Sequence, residues 1–209
     1  MKKLVLMLTA ILMALFASAQ DNPKQQEAGI VFSNLNNFGL TYKVGTEKGL
    51  WRFTTLYLSG NNNKTSYDST NDIKSSAGFG LKVGREWRSK LTHTFEFRYG
   101  FDLAFTYSCL KNETDDKSVL QSYNAYKDIT NNYTPGVNFV LGFNYVFQRV
   151  IVLGFEAMPY INFTTGNSSH ENNGITTKSK SSEFSYGLNS TSLMLSISYR
   201  FGNKKPSTN

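Results

Sequence analysis

The chain has 209 residues, a formal charge of +7 and a hydrophobic fraction of 40%. Its mean hydropathy of −0.35 and its sequence exclude a polytopic helical membrane protein, which needs several apolar runs of about 20 residues. One cysteine, Cys109, excludes an intrachain disulfide scaffold and any multi-cysteine metal site, while 16 Phe and 12 Tyr favour strands over helices.

Met1-Lys2-Lys3 is a short basic segment, residues 4–16 form an apolar run interrupted only by Thr9, and Ala17-Ser18-Ala19 is a small-residue cleavage site. Residues 1–19 therefore read as a secretory signal peptide, residues 20–201 as one folded unit and residues 202–209 as a basic polar tail. From there the sequence alternates with period two, the pattern of strands with two unlike faces. Strands are expected at 27–33, 38–44, 50–57, 77–86, 93–108, 137–147, 151–163 and 193–201. The clearest sets Phe95, Phe97, Tyr99, Phe101, Leu103, Phe105 and Tyr107 against Thr94, Glu96, Arg98, Gly100, Asp102, Ala104 and Thr106. Connections at 34–37, 46–49, 89–92 and 148–149 are short. Those at 61–74, 110–135 and 166–183 are long, rich in Asn, Ser, Thr, Asp and Lys, and read as solvated loops. The fold class expected is all-β, an up-and-down antiparallel transmembrane barrel of about eight strands.

Alternation does not by itself say which face meets water. A lipocalin-type barrel would hold the aromatic face inside, and Gly49-Leu50-Trp51 imitates the lipocalin G-x-W signature. Glycine favours the opposite arrangement. Gly39, Gly78, Gly80, Gly84, Gly100, Gly142, Gly154 and Gly187 mostly share the charged face. In a narrow interior they make room for long charged side chains, whereas on a solvated exterior they would only weaken the strands. The lumen is then expected to hold Lys43, Arg52, Lys82, Arg98 and Arg200 against Glu86, Glu96, Asp102 and Glu156. Arg52, Glu86, Glu96 and Arg200 fall toward the short-turn end as one cluster. Charges buried so closely must pair, so the lumen reads as a salt-bridge plug, with a narrow polar pore as the alternative. Trp51, Trp87, Phe147, Tyr199 and Phe201 form an aromatic girdle near the short turns, with Tyr57, Phe105, Tyr107 and Phe163 toward the other rim. Arg85 points outward against the pattern; snorkelling toward the rim or a bulge at Gly84 would accommodate it.

With these strands, turns and faces, the chain resembles the small eight-stranded outer-membrane barrels of Gram-negative bacteria. These are the OmpA transmembrane domain and OmpX type, in the Bacteroidetes version known as the outer membrane protein beta-barrel domain. The segment Leu193-Met194-Leu195-Ser196-Ile197-Ser198-Tyr199-Arg200-Phe201 resembles the terminal-strand signal read by the barrel-assembly machinery, although residues 202–209 follow the final aromatic. The resemblance implies an integral outer-membrane protein, a monomer in the lipid bilayer, with an extracellular ligand that it does not name. Asp68-Ser69-Thr70 resembles the Bacteroidetes O-glycosylation acceptor, which would make Ser69 a glycan site.

Catalytic patterns are sparse. His93 precedes Thr94-Phe95 and His170 precedes Glu171-Asn172, so neither matches the His-x-Ser pair of lipid A deacylases. Asp115-Asp116 and His170 could meet at the loop end in the manner of omptin proteases, but acidic pairs in loops are usually only solvated. No metal or cofactor motif and no nucleic-acid motif is present. The expected role is structural or cell-surface interaction, with a narrow channel as alternative and a lipid-modifying enzyme third. The basic excess is assigned to the short-turn rim, where Lys48, Arg85, Arg88, Lys90 and Arg149 outnumber Glu27 and Glu47.

Overall fold

The computed structural model describes residues 25–34, 37–66, 70–116, 124–172, 174–189 and 192–202. The expected signal segment, the tail beyond Gly202 and Ser69 lie outside the described residues. Ten strand segments follow in chain order: β1 (Gln25–Asn34), β2 (Asn37–Gly45), β3 (Gly49–Ser66), β4 (Thr70–Lys90), β5 (Phe95–Asp116), β6 (Asn124–Phe147), β7 (Ile151–Ala157), β8 (Tyr160–Asn172), β9 (Ile175–Gly187) and β10 (Leu193–Gly202). All pairings are antiparallel. They close a ring through β1, β2, β3, β4, β5, β6, β7 and β10, with β10 returning to β1 along Gln25↔Gly202 to Phe32↔Leu195. The hydrogen-bond rows climb around the wall. Leu141 opposes Tyr99, which opposes Trp87, which opposes Gly49 at the foot of β3. That climb is the strand tilt a closed barrel requires.

Two further segments arise from breaks in long strands. β7 and β8 both pair with β6 in one unbroken register, Leu141↔Ala157 and Asn138↔Tyr160. Pro159 separates them because it has no N–H to donate; its carbonyl still accepts from the Phe139 amide at 2.8 Å. β9 and β10 are separated more fully. Among the described residues β9 pairs only with β8, and β10 only with β7 and β1.

The connections expected to be long loops at 61–74, 110–135 and 166–183 are largely strand instead. Paired hairpins run out to Ser66↔Asn71, Asp116↔Asn124 and Asn172↔Ile175. Period-two hydrophobicity needs one apolar environment. Beyond the apolar band both faces of these hairpins are polar, so the ladder continues after the sequence signal has faded. The short turns are conventional: Gln148 and Arg149 have φ of 47° and 63°, and the Val150 amide donates to the Phe147 carbonyl at 3.1 Å, a type I′ hairpin. No bulge occurs at Gly84, whose register is continuous on both sides; the β3–β4 ladder shifts instead between Leu56 and Leu58.

Burial sorts the two faces. Leu81, Leu103, Phe139, Phe143, Leu153, Phe155, Leu195 and Ile197 are exposed on the outside of the wall, while Arg52, Arg98, Glu86, Glu156 and Asp102 are buried within it. An apolar outer band around a charged interior is the inverse of a soluble barrel, and makes hydrocarbon the solvent of that band.

Candidate functional site: an ion network filling the lumen

Five cations and five carboxylates form one connected set inside the barrel. Glu86 on β4 receives Lys43 of β2 at 2.9 Å, Arg52 of β3 at 3.1 Å and Arg88 of its own strand at 2.7 Å. Arg52 continues to Glu156 on β7 at 3.0 Å, where Arg98 of β5 also arrives at 3.1 Å. Its Nε lies 3.2 Å from Asp102. Arg88 extends the set toward the short turns, reaching Glu27 at 2.6 Å and Glu96 at 3.4 Å. Arg200 closes that end, with Glu27 at 2.7 Å and Glu96 at 2.8 Å. The two halves of the expected cluster, Arg52–Glu86 and Arg200–Glu96, are thus joined through Arg88.

Two members correct the sequence-based assignment. The strand limits read from the sequence put Glu27 and Arg88 at the rim, yet Glu27 is fully buried and Arg88 is 7% exposed. Both continue an inward-facing row: Val31, Gly29, Glu27 in β1 and Lys82, Gly84, Glu86, Arg88 in β4. Ending the expected strand at residue 86 hides Arg88. Because the pair carries opposite charges, adding both leaves the balance of the lumen unchanged.

Glycines give the long side chains their space. A Cβ at Gly154 would overlap Ser196 Oγ and lie 2.8 Å from Arg98 Nη2. One at Gly84 would overlap Asp102 Oδ1. Apolar positions bound the charged layer on both sides. Leu50, Val146 and Val152 are buried toward the short turns, and Val31, Val140, Met158 and Met194 cluster toward the long hairpins. Lys82 lies with this second group. Its Nζ is 3.7 Å from Met158 Sδ and 4.0 Å from Met194 Sδ, and no carboxylate among the described residues forms a salt bridge with it. Both carboxylate oxygens of Asp102, and Nε and Nη2 of Arg98, lack hydrogen-bond partners of good geometry.

On the outside, Trp87 stacks on Tyr99 with centroids 5.9 Å apart, and Tyr199 on Phe201 at 6.2 Å. Phe147 is exposed near them in the wall, and Trp51 carries the Arg85 guanidinium over its ring at 5.3 Å. On the opposite side of the band Phe105 and Phe163 are exposed and Tyr107 donates to Asn131 at 2.8 Å. Cys109 is a free, half-buried thiol on β5. The His170 ring nitrogen contacts Asp128 across the β6–β8 ladder, and the side chains of Asp115 and Asp116 lie outside the described residues. Among the described residues no group of three His, Cys, Asp or Glu side chains is arranged to hold a metal ion.

These features define a class: a closed antiparallel β-barrel with an apolar exterior and a charge-filled interior, the membrane-spanning kind. No family model matches the chain, and no curated protein matches its sequence. Among solved structures it is similar to a major outer membrane protein from Thermus thermophilus, at 13% identity and a TM-score of 0.42, covering 85% of this chain and 99% of that one. It is similar to CarO of Acinetobacter baumannii at 8% identity and a TM-score of 0.35, covering 87% and 98%. A third is Ail, the attachment invasion locus protein of Yersinia pestis, at 9% identity and a TM-score of 0.30, covering 86% and 99%.

Proposed function

We propose that this chain is an integral outer-membrane protein with a structural or surface-interaction role: a plugged barrel that holds a polar sheet outside the membrane. One observation carries the reading. Apart from Lys82, the lumen-facing charges of β1, β2, β3, β4, β5, β7 and β10 are tied into a single balanced network across the interior. Opening a conducting path would require separating buried ion pairs, each break leaving an uncompensated charge at a cost of about 3–5 kcal/mol. The proposal includes cleavage of residues 1–19, insertion by the barrel-assembly machinery, a monomeric state, a Bacteroidetes-type origin within the OmpA/OmpX-like group, a glycan at Ser69, and no catalytic activity. The extended hairpins of β3, β4, β5, β6, β8 and β9 are the surface offered to an extracellular partner.

The competing reading is a narrow channel, and Asp102 favours it, since its oxygens accept no hydrogen bond of good geometry and would suit hydrated cations. Planar-bilayer recordings of the folded protein separate the two. A silent bilayer is the expected result, and stable single-channel steps would replace the plug by the channel. Migration in detergent gels that changes on heating tests the barrel itself. Heat-insensitive migration, with the protein in the soluble periplasmic fraction, would reject it.

A further inference from the structure

Arg85 is the one charged side chain of the outward row of β4 within the apolar band, between Val83 and Trp87. Its register neighbours are Trp51 on β3 and Phe101 on β5, both on the outer face. The side chain turns toward the short-turn rim. Its guanidinium lies over the Trp51 ring at 5.3 Å, and Nη2 sits 2.9 Å from where a Cβ of Gly49 would be. Gly49 is the first residue of β3, directly after the turn. The absence of a side chain there is what lets the head reach the rim. Among the described residues no hydrogen bond or ion pair involves this guanidinium. The only carboxylate of that turn, Glu47, is held by Lys90 at 2.7 Å, and Lys48 beside it adds a second exposed positive charge.

We propose that Arg85, Trp51 and Gly49 form a binding site for the phosphate of an anionic phospholipid in the leaflet at the short-turn rim. A guanidinium presents up to five N–H donors in a planar fork that matches phosphate oxygens. At the boundary of a bilayer, the anionic acceptors within reach of an outward-facing fork are lipid phosphates. The cation–π contact with the indole holds the guanidinium at the rim, and no protein acceptor among the described residues occupies its N–H groups. Beside Arg85 on the β5 side, a groove of about 510 Å³ runs along the outer wall, lined by Trp87, Tyr99, Phe101, Phe139, Leu141 and Pro159. Its apolar walls suit the acyl chain of the same lipid. The site rests on the membrane-barrel reading and adds a specific lipid contact to it.

The test uses the whole barrel folded into phosphatidylcholine vesicles. Trp87→Phe leaves Trp51 as the sole tryptophan and keeps an aromatic ring in the wall of the groove; the phosphate seat of Arg85 and Gly49, which sets the preference, is untouched. Quenching of its fluorescence is compared for a minor fraction of brominated phosphatidylglycerol and for the same fraction of brominated phosphatidylcholine. One basic residue at an anionic surface corresponds to about fivefold local enrichment, so phosphatidylglycerol should quench markedly more strongly. Arg85→Gln should abolish the preference, and so should Gly49→Val, which occupies the seat of the guanidinium and serves if the first variant does not fold. Equal quenching by the two lipids, or a preference that survives in both folded variants, overturns the site. Loss of the preference in millimolar inorganic phosphate would replace the lipid by a free anion. Failure of the unmodified barrel to insert would count against the membrane reading instead, and is read separately from gel migration.

Discussion

Arg52 on β3 reaches Glu156 on β7 across the lumen with both terminal guanidinium nitrogens, each 3.0 Å from a carboxylate oxygen. This is the fork-to-fork geometry in which an ion pair gains direction as well as charge. The same guanidinium also touches Glu86 and Asp102, so one side chain ties three acidic strands together.

Removing that side chain should therefore be costly. Arg52→Ala leaves buried Asp102 without an ion-pair partner, takes one cation from Glu86 and from Glu156, and is expected to lower the unfolding free energy by about 3–5 kcal/mol. The urea midpoint of the folded gel band measures it. Arg52→Ala combined with Glu156→Ala should cost less than the two single changes together, because either change alone already removes the two-pronged contact that the pair shares. Strictly additive losses would show that the pair is not coupled.

Gly154 supplies space rather than flexibility. Gly154→Val should destabilise the barrel by about 1–3 kcal/mol, since its side chain competes with Ser196 and the Arg98 head in a filled interior. Gly174, at the β8–β9 hairpin with nothing within 4 Å of an added Cβ, separates crowding from conformation. There the cost of Gly174→Val comes from the positive φ of 82° alone.

Outside the apolar band, Glu113 titrates below its ordinary value of 4.5, chiefly because Lys111 donates to it, at 2.8 Å, with Lys127 adding a second contact at 3.4 Å. A carboxylate depressed by folding contributes stability above its unfolded value, and that contribution is lost as pH falls through the lower folded value. Carboxyl chemical shifts followed by NMR should show the Glu113 midpoint below 4.5. Lys111→Gln should move it upward, and an unmoved midpoint would remove Lys111 as the cause.

Among the described residues β9 has a ladder on one side only. Amide exchange along Ile175–Gly187 should alternate with period two, slow where the N–H faces β8 and fast where it faces away. β5, paired with β4 and β6 along its length, should be protected continuously. Uniform protection of β9 would mean that its outer edge is covered.

Much of the wall is legible in single residues. Phe95 to Tyr107 against Glu96 to Asp102 announces both a strand and its two environments, because lipid and lumen reward opposite chemistry at alternate positions. Glu27 and Arg88 carry the same signal and escape notice only where the alternation is cut short. The hairpin ends around Asn63, Asn131 and Ser179 carry no such signal. Their pairing is set by the strands below them, and water accepts polar groups on either face.

By itself the sequence determined the barrel class, the outward aromatic face and most of the inward charges, since each follows from residue parity along a strand. It did not determine partners. That Arg88 joins the Arg52–Glu86 and Arg200–Glu96 pairs, that Lys82 rests against Met158 and Met194, and that Arg85 lies over Trp51 depends on register, tilt and closure between strands far apart in the chain. Those relations exist only once β10 has met β1, because closure is what converts seven separate charged faces into one enclosed volume.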